Sequence, residues 1–393
     1  MGVVLCINSG SSSLKFSAVR FSNFGSASGA GSEEKIFEGA VENIGTAQAR
    51  IRVQQKARPD WEQTRTFADI AAALEALLSW LQQSALPPPD AIGHRLVHGG
   101  PNYFLPQRVR PQLLASLREV IPFAPLHLPA ELSAIEIMSD RLPDTPQGVC
   151  FDTAFHRNLP AVAQRFALPR AVYESGVKRY GFHGLSYEYL VQHLGAKALG
   201  KAVLAHLGNG SSMAAVDNGI CLDTTMGLSP TGGLMMGTRS GDLDPGVLIY
   251  LLRTGKNLNA LEHLVNREAG LLGVSGISAD MQVLIESEAS DPNAKLAVEM
   301  FCYQAAKAVA SLAVSLGGLE TLVFTGGIGE HASAVRELIC QRLGFLGLKL
   351  DSQRNVAGDD LVNTKDSRVA VKVVRTDEDL MIARHVNQLL FTA

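Results

Sequence analysis

The chain has 393 residues, 46% hydrophobic and 19% charged, which is enough apolar material for a large core and points to two domains. Its 35 Lys and Arg against 38 Asp and Glu leave a net charge of -3, which excludes the basic field that nucleic acid or an anionic membrane would need. Five scattered cysteines (Cys6, Cys150, Cys221, Cys302, Cys340), odd in number and never spaced C-x-x-C, argue against a disulfide framework or a zinc site and fit a reducing, cytoplasmic compartment.

The N-terminus shows no basic n-region, and MGVVLC lacks the sixth-position Ser or Thr of a myristoylation signal, so no targeting segment is expected. An apolar strand, VVLCI (3–7), runs into Asn-Ser-Gly-Ser-Ser-Ser, then Lys15 and the alternation KFSAVRF. Such a turn crowds backbone N–H groups and hydroxyls together, which suits a bound phosphate; a serine-rich hairpin loop reads equally well from these residues. SNFGSASGAGSEE (22–34) reads as a mobile hairpin tip and LPPPD (86–90) as a stiff loop before the next strand. The most apolar run, about 305–316, is half the length of a membrane span and is interrupted by Lys307, so a buried core helix is expected.

Gly10-Ser11-Ser12 recurs as Gly210-Ser211-Ser212, each copy reading as strand, Gly-Ser-Ser turn, strand. A third glycine turn follows a strand in LVFTGGIGEHA (322–332), with a helical pattern after it. Two like halves point to a duplicated α/β architecture holding a nucleotide between them, with chance similarity as the alternative. No Walker loop is present. Gly327 to Ala332 fits G-x-G-x-x-A, with Asp351 about 20 residues on, as in a dinucleotide-binding unit. That dehydrogenase reading leaves few residues for further strands and does not explain the two hairpins.

Between the hairpins, IGHRLVHGG, FAPLHLP, CFDTAFH, RYGFHGLS and MMGTRSGDLDP each place ionisable groups at strand ends or in glycine loops, where catalytic groups tend to sit. Taken singly, His98 and His156 read as core histidines, and Asp242 and Asp244 as turn or cap residues.

NSGSSSLK, HRLVHGG, FDTAFH, YGFHG, HLGNGSS, MGTRSGDLDP, GVSGIS, FTGGIGEH and TDED together resemble, in order and at matching spacing, the signature set of the acetate kinase family. The resemblance covers nearly the whole chain. It implies duplicated ribonuclease H-like (actin-like ATPase) α/β domains with a nucleotide cleft between them, the fold of acetate and sugar kinases, heat-shock chaperones and actin. The first domain would span 1–154 plus a C-terminal helix, 378–393, and the second, nucleotide-binding one 155–377.

The implied reaction is reversible transfer of the ATP γ-phosphoryl group to acetate, giving acetyl phosphate and ADP with Mg²⁺, or Mn²⁺ in its place. By the same resemblance Arg95 binds the acid, Arg95 and Arg239 contact the moving phosphoryl group, and His183 stabilises the transition state. Val97, Leu126, Phe182 and Pro230 form the pocket for the methyl group, with His127 bracing the cluster. Asn8 and Glu378 match the metal-site residues. Ser11, Ser13 and Lys15 line the phosphate end. His206, Leu207, Gly208, Asn209 and Gly210, with Gly327, Ile328, Gly329, Glu330 and His331, match the nucleotide loops.

Asp152 matches a residue given a proton-transfer role in the family. A substrate acid with a pKa near ~4 is already ionised at neutral pH and needs no base, so Asp152 is expected to orient Arg95 or a magnesium water. The family also implies a homodimer. Propionate kinase is the near alternative and a chaperone- or filament-type ATPase the distant one. One departure stands out: where the family reads Asp-Phe-Arg beside the adenosine, this chain has Asp280, Met281 and Gln282.

Overall fold

A computed structural model describes residues 1–10, 13–24, 31–56, 58–84 and 86–391; Ser11 and the tip 25–30 lie outside the described residues. The chain divides into two compact units, Met1–Ala154 with Asp377–Ala393, and Phe155–Thr376.

The first unit is built on β1 (Gly2–Ser9), β2 (Leu14–Phe21), β3 (Glu33–Glu42), β4 (Arg50–Gln55), β5 (Trp61–Thr64), β6 (Ala91–Leu96), β7 (Gln107–Arg108) and β8 (Gln147–Phe151), in the order β5-β4-β3-β2-β1-β6-β8-β7. The continuous apolar run Val3 to Ile7 reads as a strand covered on both faces, and all five residues are buried. Helices Ile70–Gln83 and Leu128–Arg141 pack on one side, and the C-terminal helix Glu378–Phe391 packs against β1, β6 and β8.

In the second unit β9 (Lys201–Leu207), β10 (Ser211–Asp217), β11 (Ile220–Thr224), β12 (Thr321–Thr325) and β13 (Ala370–Val373) lie in the order β11-β10-β9-β12-β13. Here β9 pairs antiparallel with β10, β10 antiparallel with β11, and β9-β12-β13 run parallel. The first unit repeats this pattern in β3-β2-β1-β6-β8. The duplicated α/β architecture expected from the repeat is therefore present in the strand order of both sheets.

Two local expectations need correction. In the second Gly-Ser-Ser copy the turn is Gly208-Asn209-Gly210, and Ser211 and Ser212 already lie in β10, opposite Leu207 and His206. The three-residue turn is short enough to pull both serines into the ladder. The second concerns LVFTGGIGEHA, where no loop separates strand from helix: β12 ends at Thr325 and a helix, Gly326–His331, begins at once. Gly326 permits this with φ +78, and a Cβ on it would meet the carbonyl oxygen of Leu207 at 2.6 Å.

The expected core helix is longer than its apolar centre, running Pro292–Leu316. Asp291 caps it by accepting from the N–H groups of Asn293 and Ala294, Pro292 opens it, and Gly317 at φ +63 ends it. Ala294, Val298, Phe301, Ala305, Val309 and Leu312, spaced three or four apart, form its buried stripe. Truncating Phe301 to Ala would cost about 3–5 kcal/mol, the usual range for a buried aromatic. No helix among the described residues is long and apolar enough to cross a membrane. All five cysteines are buried thiols outside any disulfide.

Candidate active site

In the first unit the parallel strands β6 and β8 end side by side, and their ends carry Arg95 and Asp152. Arg95 donates from Nε (3.0 Å) and from Nη2 to the same oxygen, Oδ2 of Asp152, and from Nη1 to Oδ1 of Asn8 on β1 at 3.3 Å. The Asp152 amide in turn donates to the carbonyl of Leu96 (3.0 Å), which holds the acid in register with the arginine. Burial works against the Arg95 charge, but the neighbouring carboxylates, Asp152 first, outweigh it and push the guanidinium above its ordinary value.

Glu131, in the first turns of the helix Leu128–Arg141, belongs to this cluster although no motif marked it. Its Oε2 accepts from the Val97 amide (2.9 Å), and its Oε1 lies 3.8 Å from Arg95 Nη1. Burial pushes its carboxyl up to about 8 against the opposing pull of Arg95 and the Val97 bond. Val97 is buried, Leu126 is half-buried in the turn ahead of this helix, and His127 sits at the helix's N-cap position.

Asn8 faces Lys15 across the β1–β2 ladder, and Gly10 closes the turn by donating to the carbonyl of Ser13 (2.8 Å). Lys15 is exposed, and Glu378 opens the C-terminal helix within electrostatic range of Arg95. Asn8 and Glu378 are hard oxygen donors. The Asn8 amide oxygen uses one lone pair on Arg95 and keeps one, so the pair fits Mg²⁺, which binds few protein oxygens and retains waters.

The second unit carries a separate cluster. His183 immediately precedes the helix Gly184–Leu194 in the left-handed conformation (φ 58), rare for a residue with a side chain. Its Nδ1 is hydrogen-bonded to Ser212 Oγ (2.8 Å), which also meets the Tyr187 hydroxyl (2.5 Å). Its ring stacks on that of His206 (centroids 4.3 Å apart), whose Nδ1 is bonded to Ser186 Oγ (2.9 Å). Behind the turn, His156 Nε2 donates to the carbonyl of Phe182 (3.0 Å), with Nδ1 facing Cys221 Sγ (3.2 Å). Burial lowers the pKa of His156 to about 4 and keeps it neutral.

Arg239 donates from Nη1 to the carbonyl of Pro230 (2.7 Å). A Cβ built on Gly210 would lie 3.3 Å from Arg239 Nη2 and 3.3 Å from His183 Nε2, so both side chains converge above this glycine.

The expected nucleotide loops also meet. A Cβ on Gly208 would lie 3.8 Å from the backbone nitrogen of Gly327, and the Gly237 amide donates to the carbonyl of Asn209 (3.2 Å). Glu330 turns inward, its Oε1 accepting from the Gly326 amide (2.9 Å), while His331 is exposed. Arg336, buried and unmarked by any motif, donates to the carbonyls of Gly329 and Glu330 (both 2.9 Å) and of Asn355 (2.7 Å).

Asp280 caps the helix Met281–Ser287, Met281 is buried in the core, and the Gln282 side chain donates from Nε2 to Glu286 Oε1 (2.6 Å). Asp242 accepts from the Gly233 amide and Asp244 caps the helix Pro245–Arg253, as turn and cap residues do. Asp351 likewise caps a helix, accepting from Gln353 and Arg354, so it is committed away from the ribose contact that the dinucleotide reading required.

A family model described as the acetokinase family matches residues 3–384. The chain belongs to this family. The acetate kinase of Rhodopseudomonas palustris is 45% identical, with 98% of each chain covered. The structure of Porphyromonas gingivalis acetate kinase superposes with a TM-score of 0.86 at 35% identity over 99% of this chain and 100% of that one. A propionate kinase from Francisella tularensis gives 0.90 at 35% identity with the same coverage. The acetokinase assignment accounts for the duplicated α/β sheets.

Proposed function

We propose that the protein transfers the γ-phosphoryl group of ATP to acetate by direct in-line displacement, reversibly, giving acetyl phosphate and ADP. The observation that carries the reading is the Arg95 fork. Of its five N–H donors, three are committed to Asp152 and Asn8, and two remain for the acid's oxygens beside the buried side chain of Val97. An acid oxygen forms the new bond to phosphorus as the bridging oxygen of ADP leaves. Since the acid is already ionised at neutral pH, no base is required and Asp152 serves to aim Arg95.

Arg239 and His183 supply cationic and hydrogen-bonding contacts for charge on the equatorial phosphoryl oxygens, the term that dominates such transfers. The glycine turn 208–210 and the glycine-rich helix start 326–329 let backbone approach the nucleotide phosphates. Mg²⁺, held through Asn8, Glu378 and waters, would neutralise phosphate charge. We further infer a cytoplasmic homodimer, on the family resemblance.

Likeness to a propionate kinase favours propionate as a second, poorer substrate, because one methylene in an apolar pocket is worth only about 1–3 kcal/mol of discrimination. The test is incubation with MgATP and acetate, propionate or butyrate, trapping acyl phosphate with hydroxylamine. Acetyl hydroxamate is expected in the greatest amount; none from any acid would sink the assignment, and propionate ahead in kcat/KM would rename the substrate.

A further inference from the structure

Three carboxyl groups surround Arg95, and a substrate acid would bring a fourth. Asp152 takes two of its N–H donors, Glu378 acts on it from the start of the C-terminal helix, and Glu131 stands 3.8 Å from Nη1. Each of these carboxyls, when ionised, sets a negative charge against an incoming anion, and with all three ionised the site is at its least favourable for one.

The geometry of Glu131 marks it as the carboxyl that is held neutral. Its side chain is fully buried, its Oε2 is satisfied by the Val97 amide, and its Oε1 has no hydrogen-bond partner among the described residues. At 3.8 Å the Arg95 contact lies beyond hydrogen-bond range. A buried carboxylate with one bare oxygen is costly, whereas a neutral carboxyl keeps the Val97 bond at much lower cost.

We propose that Glu131 is a positioning residue that works as a neutral carboxyl: it fixes Val97 and packs beside Arg95 without adding a third negative charge where the substrate's carboxylate binds. This rests on the acid-binding reading of Arg95 given above. Burial pushes the Glu131 carboxyl up to about 8, so the proton is held at neutral pH and released in mild alkali. The groups facing it are Arg95 from β6 and Asp152 from the turn after β8, with Glu378 acting through Arg95 and His127 one turn earlier beside its own helix.

The experiment measures KM for acetate, KM for ATP and kcat across about pH 6.5–9.5 for the wild type and Glu131→Gln, which keeps the shape and cannot ionise. In the wild type KM for acetate should climb above about pH 8, approaching tenfold per pH unit, with kcat and KM for ATP nearly flat. Glu131→Gln should lose the alkaline rise, while Glu131→Ala should raise KM throughout. A Glu131→Gln profile that follows the wild type, or a rise of about tenfold or more in its KM at neutral pH, would overturn the proposal.

A second readout needs no activity. A folded carboxyl raised to about 8 contributes stability that is lost as pH rises toward 8, so the wild-type melting midpoint should fall relative to Glu131→Gln between about pH 6.5 and 8. A constant difference would remove the proton from Glu131. If no acid gave acyl hydroxamate, the functional reading beneath the proposal would fail, and the midpoint comparison would still decide where the proton sits.

Discussion

Arg95 reaches Asp152 across 57 residues of sequence and places two of its N–H groups on a single carboxylate oxygen. That arrangement spends the carboxylate on aiming the guanidinium. Arg95→Ala should therefore lower kcat/KM for acetate by about two to four powers of ten, the scale for an arginine acting on phosphoryl-transfer charge, with ATP binding nearly unchanged. Asp152→Asn should give a damaged enzyme whose kcat stays flat above about pH 6. A wild-type rate that rose with a pKa near ~7, lost in Asp152→Asn, would instead make Asp152 the general base.

Ser212 links Tyr187 to His183, its hydroxyl bonding the His183 ring at Nδ1. Ser212→Ala should reduce kcat by about tenfold to a hundredfold, as loss of an orienting group does, while KM for acetate changes little. Tyr187→Phe should cost less, about fivefold, the worth of one hydrogen bond. An unchanged kcat in Ser212→Ala would free His183 from this constraint.

Gly210 sits beneath Arg239 and His183, and it lies outside the left-handed region, so its backbone accepts alanine. The new methyl would press on both side chains at 3.3 Å. Gly210→Ala should thus melt close to the wild type yet lose about tenfold to a hundredfold in kcat, since small displacements of charge-stabilising groups are expensive. Full activity with normal folding would show that neither side chain needs this space.

His156 is held neutral by burial, its pKa lowered from 6.5 to about 4. The unfolded chain takes up this proton below about 6.5 and the folded chain does not, so the stabilisation is complete above that pH. It is lost as pH falls toward 4, by up to about 3 kcal/mol. His94, bonded to Gln147 Oε1 at 2.6 Å and likewise lowered to about 4, adds a share of the same sign. Asp379, raised to about 6 by burial, opposes both, so the diagnostic is a difference. The gap between the wild-type and His156→Gln melting midpoints should widen in favour of the wild type as pH rises from about 4.5 to 6.5. A gap independent of pH would mean that His156 binds its proton normally.

The amino-acid sequence by itself determined the strand-turn-strand hairpins, the duplication and the motif set, because these depend on short-range patterns: apolar runs, glycine positions and their spacing. The cap residue Asp244 was legible for the same reason, bonding within two residues of itself. The start of β10 was not, because whether Ser211 and Ser212 lie in the turn or the ladder is settled by pairing with Leu207 and His206. Glu131 shows the limit most clearly. In LPAELSAIEIM it has the spacing of an ordinary helical glutamate, and nothing local separates it from Glu136, which is only half-buried. Only the folded unit brings β6 and the turn after β8 against that helix, strips Glu131 of water and sets Arg95 beside it. The charge on a buried group is decided by what surrounds it in space, and those surroundings are assembled from residues tens of positions apart.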